Sequence, residues 1–427
     1  MKRPFKEGDL IQITPTRFGR RGEAEGEYKG WRVRVRNGIP GEDARVRILH
    51  VSRGGPVATG RFHDAAAPHS ARRDPPCPIH DPCGGCGLQH VDETFAFETK
   101  VGQARALLQD AQEWRPGVIS PRRFGYRAKT FMLPQRRGSR LLLGARPPRG
   151  EALVDTSGCA VLRPELESLA ARTREALADR PELAQSLRSV LLRCNRAGQT
   201  QLTLVHAGAT LDLAGVARSS GADAAFLQRH DEPGNVICSD AEETAVLGEP
   251  ITESFDGLRV TVPPTAFCQG NPAVAESLYR LAAEELAGPR IGELYCGAGA
   301  AGLLALRKHE DAELHGVDRS PRAIATARFN AAANDLAARC RFETAAAESV
   351  AAEWDSVLVN PPRAGCHEQV LAAIQKSGAA RLVYISCSPA TLARDAERLG
   401  WPLASVTPAD MFPQTPHLEM LAVFTRP

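Results

Sequence analysis

From about Ala273 onward, short apolar runs alternate with stretches whose apolar positions recur at helical spacing. The runs are "IGELYC", "AELHGVD", "RCRFE", "DSVLVN" and "RLVYISC", each followed by a helical stretch. Near-continuous apolar strands separated by helices predict an α/β domain built on a doubly wound parallel sheet. The N-terminus reads differently. "LIQIT", "WRVRVR" and "ARVRILHV" alternate with period two between glycine-rich turns, the pattern of a small β-barrel. In "WRVRVR", Trp31, Val33 and Val35 should face a core, while Arg32, Arg34 and Arg36 point the other way.

Between these ends the pattern is mixed. Gly54 to about Pro76 is rich in Gly, Ala, Pro and His and reads as a linker. A helix is expected from about Thr94 to Gln112 and another from Arg163 to Arg180. "VLLRC" and "QLTLVH" read as strands, and "TESFDGLRVTV" as a hairpin turning at Asp256-Gly257. The resulting division is a barrel over 1–55, an α/β central domain over 56–262, and a Rossmann-like domain over 263–427.

At 427 residues, the chain is too long for one core, in keeping with several domains. With 43% hydrophobic and 24% charged residues, its composition is that of an ordinary soluble protein. It contains no apolar run long enough to span a membrane, and "MKRPFKEGDLIQIT" is no secretory signal. A cytoplasmic, membrane-free and monomeric protein is expected.

The net charge of +3 conceals an asymmetry: residues 1–150 carry 28 Lys and Arg against 15 Asp and Glu. The densest stretch, Trp114 to Gly150, holds ten basic residues and no acidic one. Such a half is suited to a polyanion, because clustered cations gain affinity by releasing counterions from phosphates. Interleaved Trp114, Phe124, Tyr126 and Phe131 could stack on bases and favour RNA as that partner.

Eleven cysteines, an odd number with no export signal, argue for metal binding or catalysis rather than disulfides. "CPIHDPCGGC" places Cys77, Cys83 and Cys86 within one turn-rich loop, with Cys159 as a distant fourth candidate. That spacing suits either zinc or a [4Fe-4S] cluster.

In the Rossmann-like domain, Gly297-Ala298-Gly299 turns from a strand into a helix, and Asp318 ends the next strand, placed to accept from ribose hydroxyls. This order predicts nucleoside-cofactor binding, with NAD and S-adenosylmethionine both compatible. "NPPR" at the end of a later strand favours the second, since methyltransferases carry an (N/D)PP element there that frames the reacting base. Asn360 thus joins Gly297 and Gly299 among the residues facing the cofactor pocket. Cys387 ends the strand "LVYISC", where chemistry happens in open α/β sheets, and the run after it reads as a helix start, a place that lowers a thiol pKa.

The order of these elements resembles the RNA (uracil-C5) methyltransferases, particularly the iron–sulfur enzymes that modify 23S ribosomal RNA. The resemblance runs through "NGIPGE", the cysteine loop, "FCQGNP", "ELYCGAG", "NPPRAG", "YISCSP" and "HLEM". It implies a TRAM-type RNA-binding barrel at the N-terminus and a [4Fe-4S] cluster on Cys77, Cys83, Cys86 and Cys159. It also implies S-adenosylmethionine contacts from Gln269, Tyr295 and Asp318, Cys387 as nucleophile and Glu419 as general base. The expected partner is RNA, ribosomal by this resemblance, with transfer RNA as the alternative.

The chain departs from the family at Asn360, where aspartate is usual, and at Ala300 and Ala301, just after the glycine turn. Asparagine could still accept from uracil N3–H and donate to O4. Two rivals follow from these departures. One is an amino-group methyltransferase using Asn-Pro-Pro, although an aromatic residue usually follows the prolines where this chain has Arg363. The other is an RNA-binding iron–sulfur protein that has lost activity.

Overall fold

The alternation in "WRVRVR" is realised as a strand whose Trp31, Val33 and Val35 are 4%, 0% and 0% exposed. The structure, a computed structural model, describes residues 3–138, 140–147, 152–178, 180–208, 212–232, 234, 237–239 and 241–427. Ser139 and residues 148–150 of the basic stretch lie outside the described residues. The chain divides into two units: residues 1–107 with 147–150 and 412–418, and 108–146 with 151–411 and 419–427.

The first unit is built on six strands: β1 (Leu10–Ile13), β2 (Arg17–Phe18), β3 (Ala24–Tyr28), β4 (Trp31–Arg36), β5 (Ala44–Val51) and β6 (Val57–Asp64). Their order is β1-β5-β6-β4-β3-β2, and β4 and β6 run parallel. Phe5, Ile11, Ile13, Val46 and Ile48 join the three apolar residues of β4 in one core.

Strand β6 lies inside the stretch read from sequence as a linker. Its buried face uses Ala58 and Gly60, and a Cβ at Gly60 would collide with Val46. A strand that packs through glycine and alanine carries too little hydrophobicity to be seen by pattern. Arg34 also departs from expectation: it is half-buried and bridges to Glu25 at 3.2 Å. Arg32 and Arg36 remain as the exposed guanidinium groups of that face. After a single turn, α1 (His80–Cys83), helix α2 (Glu93–Arg105) starts on Asp92, whose carboxylate accepts from the Thr94 and Phe95 amides. It ends well short of Gln112.

In the second unit, a short strand β7 (Glu113–Trp114) precedes a seven-stranded sheet. Its strands are β8 (Lys129–Arg137), β9 (Arg140–Ala145), β10 (Val154–Asp155), β11 (Leu187–Cys194), β12 (Thr200–His206), β13 (Ala224–Arg229) and β14 (Thr244–Leu247). Helices α3 (Pro164–Ala178), α4 (Pro181–Ser186) and α5 (Leu213–Ser219) belong to the same region, with Leu166, Leu169, Val190, Leu202 and Val216 in its core. The hairpin β15 (Thr252–Phe255) and β16 (Leu258–Thr261) turns at Asp256 and Gly257, whose φ values of 48° and 77° make the mirror-image turn that suits strand twist.

Helix α6 (Pro272–Glu285) then leads into the eight-stranded sheet that carries the site. Its strands are β17 (Arg290–Leu294), β18 (Glu313–Asp318), β19 (Cys340–Thr344), β20 (Ser356–Val359), β21 (Arg381–Ser386), β22 (Leu403–Ala409) and β23 (Glu419–Thr425), with β7 at one edge. Helices α7 (Ala300–Lys308), α8 (Pro321–Ala333), α9 (Glu368–Lys376) and α10 (Pro389–Leu399) connect them. The order is β19-β18-β17-β20-β21-β23-β22-β7, with β17 to β21 parallel and β23 antiparallel to both its neighbours.

The chain leaves β17 toward β18 on one side and returns to β20 on the other. This switch point opens a crevice at the strand C-termini. Tyr295, Asp318, Asn360 and Cys387 all stand at those ends. Among the described residues, no helix is long and apolar enough to cross a membrane.

Candidate active site

Register brings the two residues expected to do chemistry face to face. Strands β21 and β23 are antiparallel, with Ser386 opposite Met420. One further step along each strand sets Cys387 opposite Glu419. Cys387 is half-buried and leads directly into α10, whose N-cap Ser388 accepts from the Thr391 amide. Glu419 is 5% exposed. Arg363, in the loop after β20, lies close enough to the Cys387 sulfur and to Glu419 to favour the charged form of each. Nothing in the local pattern of "NPPR" marks Arg363 for this place, which depends on how the loop folds.

Burial pushes the Glu419 carboxyl up to about 7, with Arg363 opposing the shift. Cys387 is also raised, first by burial and then by the Glu419 charge, while Arg363 again pulls the other way. The helix start predicted a lowered thiol pKa. Desolvation and a neighbouring carboxylate raise it instead. By comparison, burial drives Cys194, Cys340 and Cys366 up to about 12, which leaves them as packing thiols.

The raised carboxyl has a consequence for stability. Unfolded Glu419 ionises near 4.5, whereas in the fold it keeps its proton until about 7. Between those values the folded state binds more protons, so stability falls as pH rises and levels off above about 7. The ionised carboxylate therefore costs about 3 kcal/mol at pH 8. Glu419→Gln is expected to raise the melting temperature by several degrees at pH 8 and to leave it unchanged at pH 4, as read by calorimetry at the two pH values.

The glycine turn after β17 is shaped for a ligand. Gly297 has φ of 54°, and a Cβ there would meet nothing within 4 Å, so its backbone borders open space. Tyr295 adopts φ of 60°, an uncommon conformation for a bulky side chain and of the kind held in place at functional loops. Gly299 caps α7. Asp318 accepts from the Gly297 amide at 3.0 Å and the Ser320 amide at 2.9 Å, so it braces the loop and keeps further acceptor capacity for a ribose.

Asn330, fully buried on α8, donates to the Ala298 carbonyl at 3.0 Å and fixes the turn from behind. Gln269 is half-buried and lies near Tyr279 of α6, which is itself close to Glu419. Among the described residues, the half-buried Asn360 carboxamide has no hydrogen-bond partner, leaving an acceptor and two donors for a ligand. These groups fit S-adenosylmethionine: an open glycine turn, a strand-end carboxylate and a polar rim leading to Cys387.

The cysteine set is not assembled in the same way. Cys77, Cys83 and Cys86 lie in the first unit, around α1, and Cys159 in the second. Among the described residues, no three His, Cys, Asp or Glu side chains converge to hold a metal ion. The spacing predicted a ligand set; the side chains as they stand do not form one. The basic stretch is also redistributed. Tyr126, expected to be an exposed stacking ring, is 4% exposed and belongs to the core. Arg122, Arg123, Arg137 and Arg140 are exposed, and Lys129 is half-buried, donating to the Ala266 carbonyl at 2.5 Å.

Comparison with known proteins adds three findings. Residues 257–383 match the methyltransferase small domain, and residues 346–426 match the tRNA (uracil-5-)-methyltransferase family. The chain is similar to RNA methyltransferases of Thermosynechococcus vestitus and Gloeobacter violaceus, at 33% and 31% identity over 99% of both chains in each case. Its fold is similar to that of the tRNA (uracil-54, C5)-methyltransferase of Pyrococcus abyssi in complex with S-adenosyl-L-homocysteine, with a TM-score of 0.80 and 23% identity over 97% of this chain and 100% of that one.

Proposed function

Since the chain belongs to the S-adenosylmethionine-dependent RNA (uracil-5-)-methyltransferase family, we propose that it methylates C5 of a uridine through a covalent bond from Cys387 to C6, with Glu419 removing the C5 proton. The observation that carries this reading is the register of β21 and β23, which sets Cys387 opposite Glu419 with Arg363 beside both.

The chemistry explains why both residues are wanted. C5 of uracil is a poor nucleophile, and addition of the Cys387 thiolate to C6 makes it the carbon of an enolate. The bound cofactor supplies an electrophilic methyl group on a sulfonium, which C5 takes. Glu419 as carboxylate then accepts the C5 proton, the C5–C6 double bond re-forms, and Cys387 leaves as thiolate. Arg363 is placed to favour the thiolate at both ends of the cycle. Asn360, at the neighbouring strand end, is proposed to read the uracil edge, accepting from N3–H and donating to O4. Gln269, Tyr295, Gly297, Gly299 and Asp318 are proposed to hold the cofactor.

A base inside folded RNA must leave its stack to reach this crevice. The first unit is proposed to act as a TRAM-like RNA-binding barrel. Replacing the exposed Arg32 and Arg36 together by alanine should weaken RNA binding and reduce its salt slope by about 2, with cofactor affinity unchanged. Filter binding across a salt series, with calorimetric titration of the cofactor, checks both halves.

The iron–sulfur cluster rests on the family resemblance of the cysteine loop, since the spacing by itself suits zinc equally, and no step depends on it. Iron and sulfide content after anaerobic purification tests it.

The RNA is proposed to be 23S ribosomal RNA, in line with the sequence resemblance, while the tRNA (uracil-5-)-methyltransferase match over residues 346–426 favours transfer RNA as the second reading. Mapping 5-methyluridine in both RNA classes from cells with and without the gene separates them. Loss of one ribosomal site supports the first reading, loss of a transfer-RNA site the second, and no changed uridine in either overturns the reaction.

A further inference from the structure

The loop that carries Asn360 and Arg363 does not hold its shape unaided. It ends in Gly365 and Cys366, and there it meets Asp395 of α10, a carboxylate only 1% exposed. One Asp395 oxygen, Oδ2, accepts from the Cys366 amide at 2.7 Å and from the Tyr384 hydroxyl at 2.8 Å. The other, Oδ1, accepts from Arg394 Nε at 2.9 Å and Nη2 at 2.7 Å. Arg394 Nη2 also donates to the Ala364 carbonyl at 2.7 Å.

Gly365 is seated against this pair with φ of 80°, and a Cβ there would run into the Asp395 carboxylate and the Arg394 guanidinium. The buried carboxylate therefore ties three pieces together: the loop three residues beyond Arg363, the strand leading to Cys387, and the helix leaving it.

We propose that Asp395 is a positioning residue, which with Arg394 clamps the 360–366 loop onto the Cys387 helix so that the Arg363 guanidinium is kept near the Cys387 sulfur. The proposal rests on the reading of Cys387 and Arg363 given above, and it extends that reading to residues that touch neither RNA nor cofactor. The charged and titratable groups around the clamp are Arg394 on its own helix, Tyr384 on β21, Cys366 on the loop and Tyr295 after β17. Those around the thiol are Glu419 on β23 and Arg363. Removing Glu419's influence and removing Arg363's should move the thiol in opposite directions. The clamp acts through Arg363 alone.

The test reads the thiol directly and needs no methyl transfer. The rate of Cys387 alkylation by iodoacetamide is followed against pH by peptide mass spectrometry in wild type, Arg363→Ala, Asp395→Asn and the double variant. Asp395→Asn keeps the shape and weakens the clamp; Arg394→Ala, which cuts the bond to Ala364, serves if the first variant fails to fold. The expected result is an alkylation profile displaced to higher pH, with a several-fold lower rate at pH 8, in each single variant and no further displacement in the double variant.

A merely structural role would lower the melting temperature and leave the profile in place. An unmoved profile in folded Asp395→Asn and Arg394→Ala overturns the proposal. An unmoved profile in Arg363→Ala overturns it too, by removing the effect the clamp is said to preserve. Failure of the methyl-transfer reading appears separately, as absence of 5-methyluridine with a normal alkylation series.

Discussion

Cys387→Ala is expected to abolish turnover on RNA, with kcat reduced by at least ~10⁴-fold, while S-adenosylmethionine binds as before. The cofactor loop is built from β17, β18 and α8, through Gly297, Asp318 and Asn330, and none of these leans on Cys387. The loss should therefore fall on kcat. Without a thiolate at C6 there is no enolate, and C5 has nothing to offer the methyl group. Quench-flow with radiolabelled cofactor, beside calorimetric titration, separates the two effects. Retained activity would point to an amino-group methyltransferase, which needs no sulfur nucleophile.

Glu419→Gln is expected to cut steady-state turnover by about 10²–10⁴-fold for a different reason. The thiolate can still add and C5 can still take the methyl group, but the C5 proton has no acceptor, so the methylated adduct persists. A protein–RNA complex that survives denaturing electrophoresis should accumulate in this variant with cofactor present.

The wild-type pH profile follows from the same group. The working base is the carboxylate, whose fraction grows as pH passes through about 7, so kcat should rise with pH across that value. The glutamine variant should lose that limb. The same substitution that stops turnover is the one expected to stabilise the fold at pH 8, as befits a site that holds a charge in a buried place for the sake of chemistry.

Much of this site was legible before the fold was known, because strand ends in a doubly wound sheet have sequence signatures. Gly297, Asp318, Asn360 and Cys387 each close an apolar run, and the sheet order carries all four to one crevice. Glu419 was legible only through a resemblance. What places it is the antiparallel register of β23, a long-range pairing that no local pattern encodes.

Arg363 was in view without a role, since its reach to Cys387 depends on how the 360–366 loop folds back on α10. Asp395 was less visible still: a single acid in an amphipathic helix reads as a solvated residue until its burial is known. Strand β6 was missed because glycine and alanine fill its inner face, and Tyr126 was misplaced because burial, unlike aromaticity, cannot be read from a basic run. The pKa of Cys387 went opposite to expectation because helix starts are local and desolvation is not.

The central claim is a sulfur–carbon bond between Cys387 and C6 of a uracil whose C5 substituent must leave before release. An RNA carrying 5-fluorouridine has no C5 proton for Glu419 to take, so the reaction should halt after methyl transfer. Incubation of the protein with cofactor and such RNA, followed by nuclease and protease digestion and mass spectrometry, should give one cross-linked peptide, with a methylated fluorouridine attached to Cys387. No adduct on RNA that is methylated in its unsubstituted form, or an adduct on any other residue, would contradict the account.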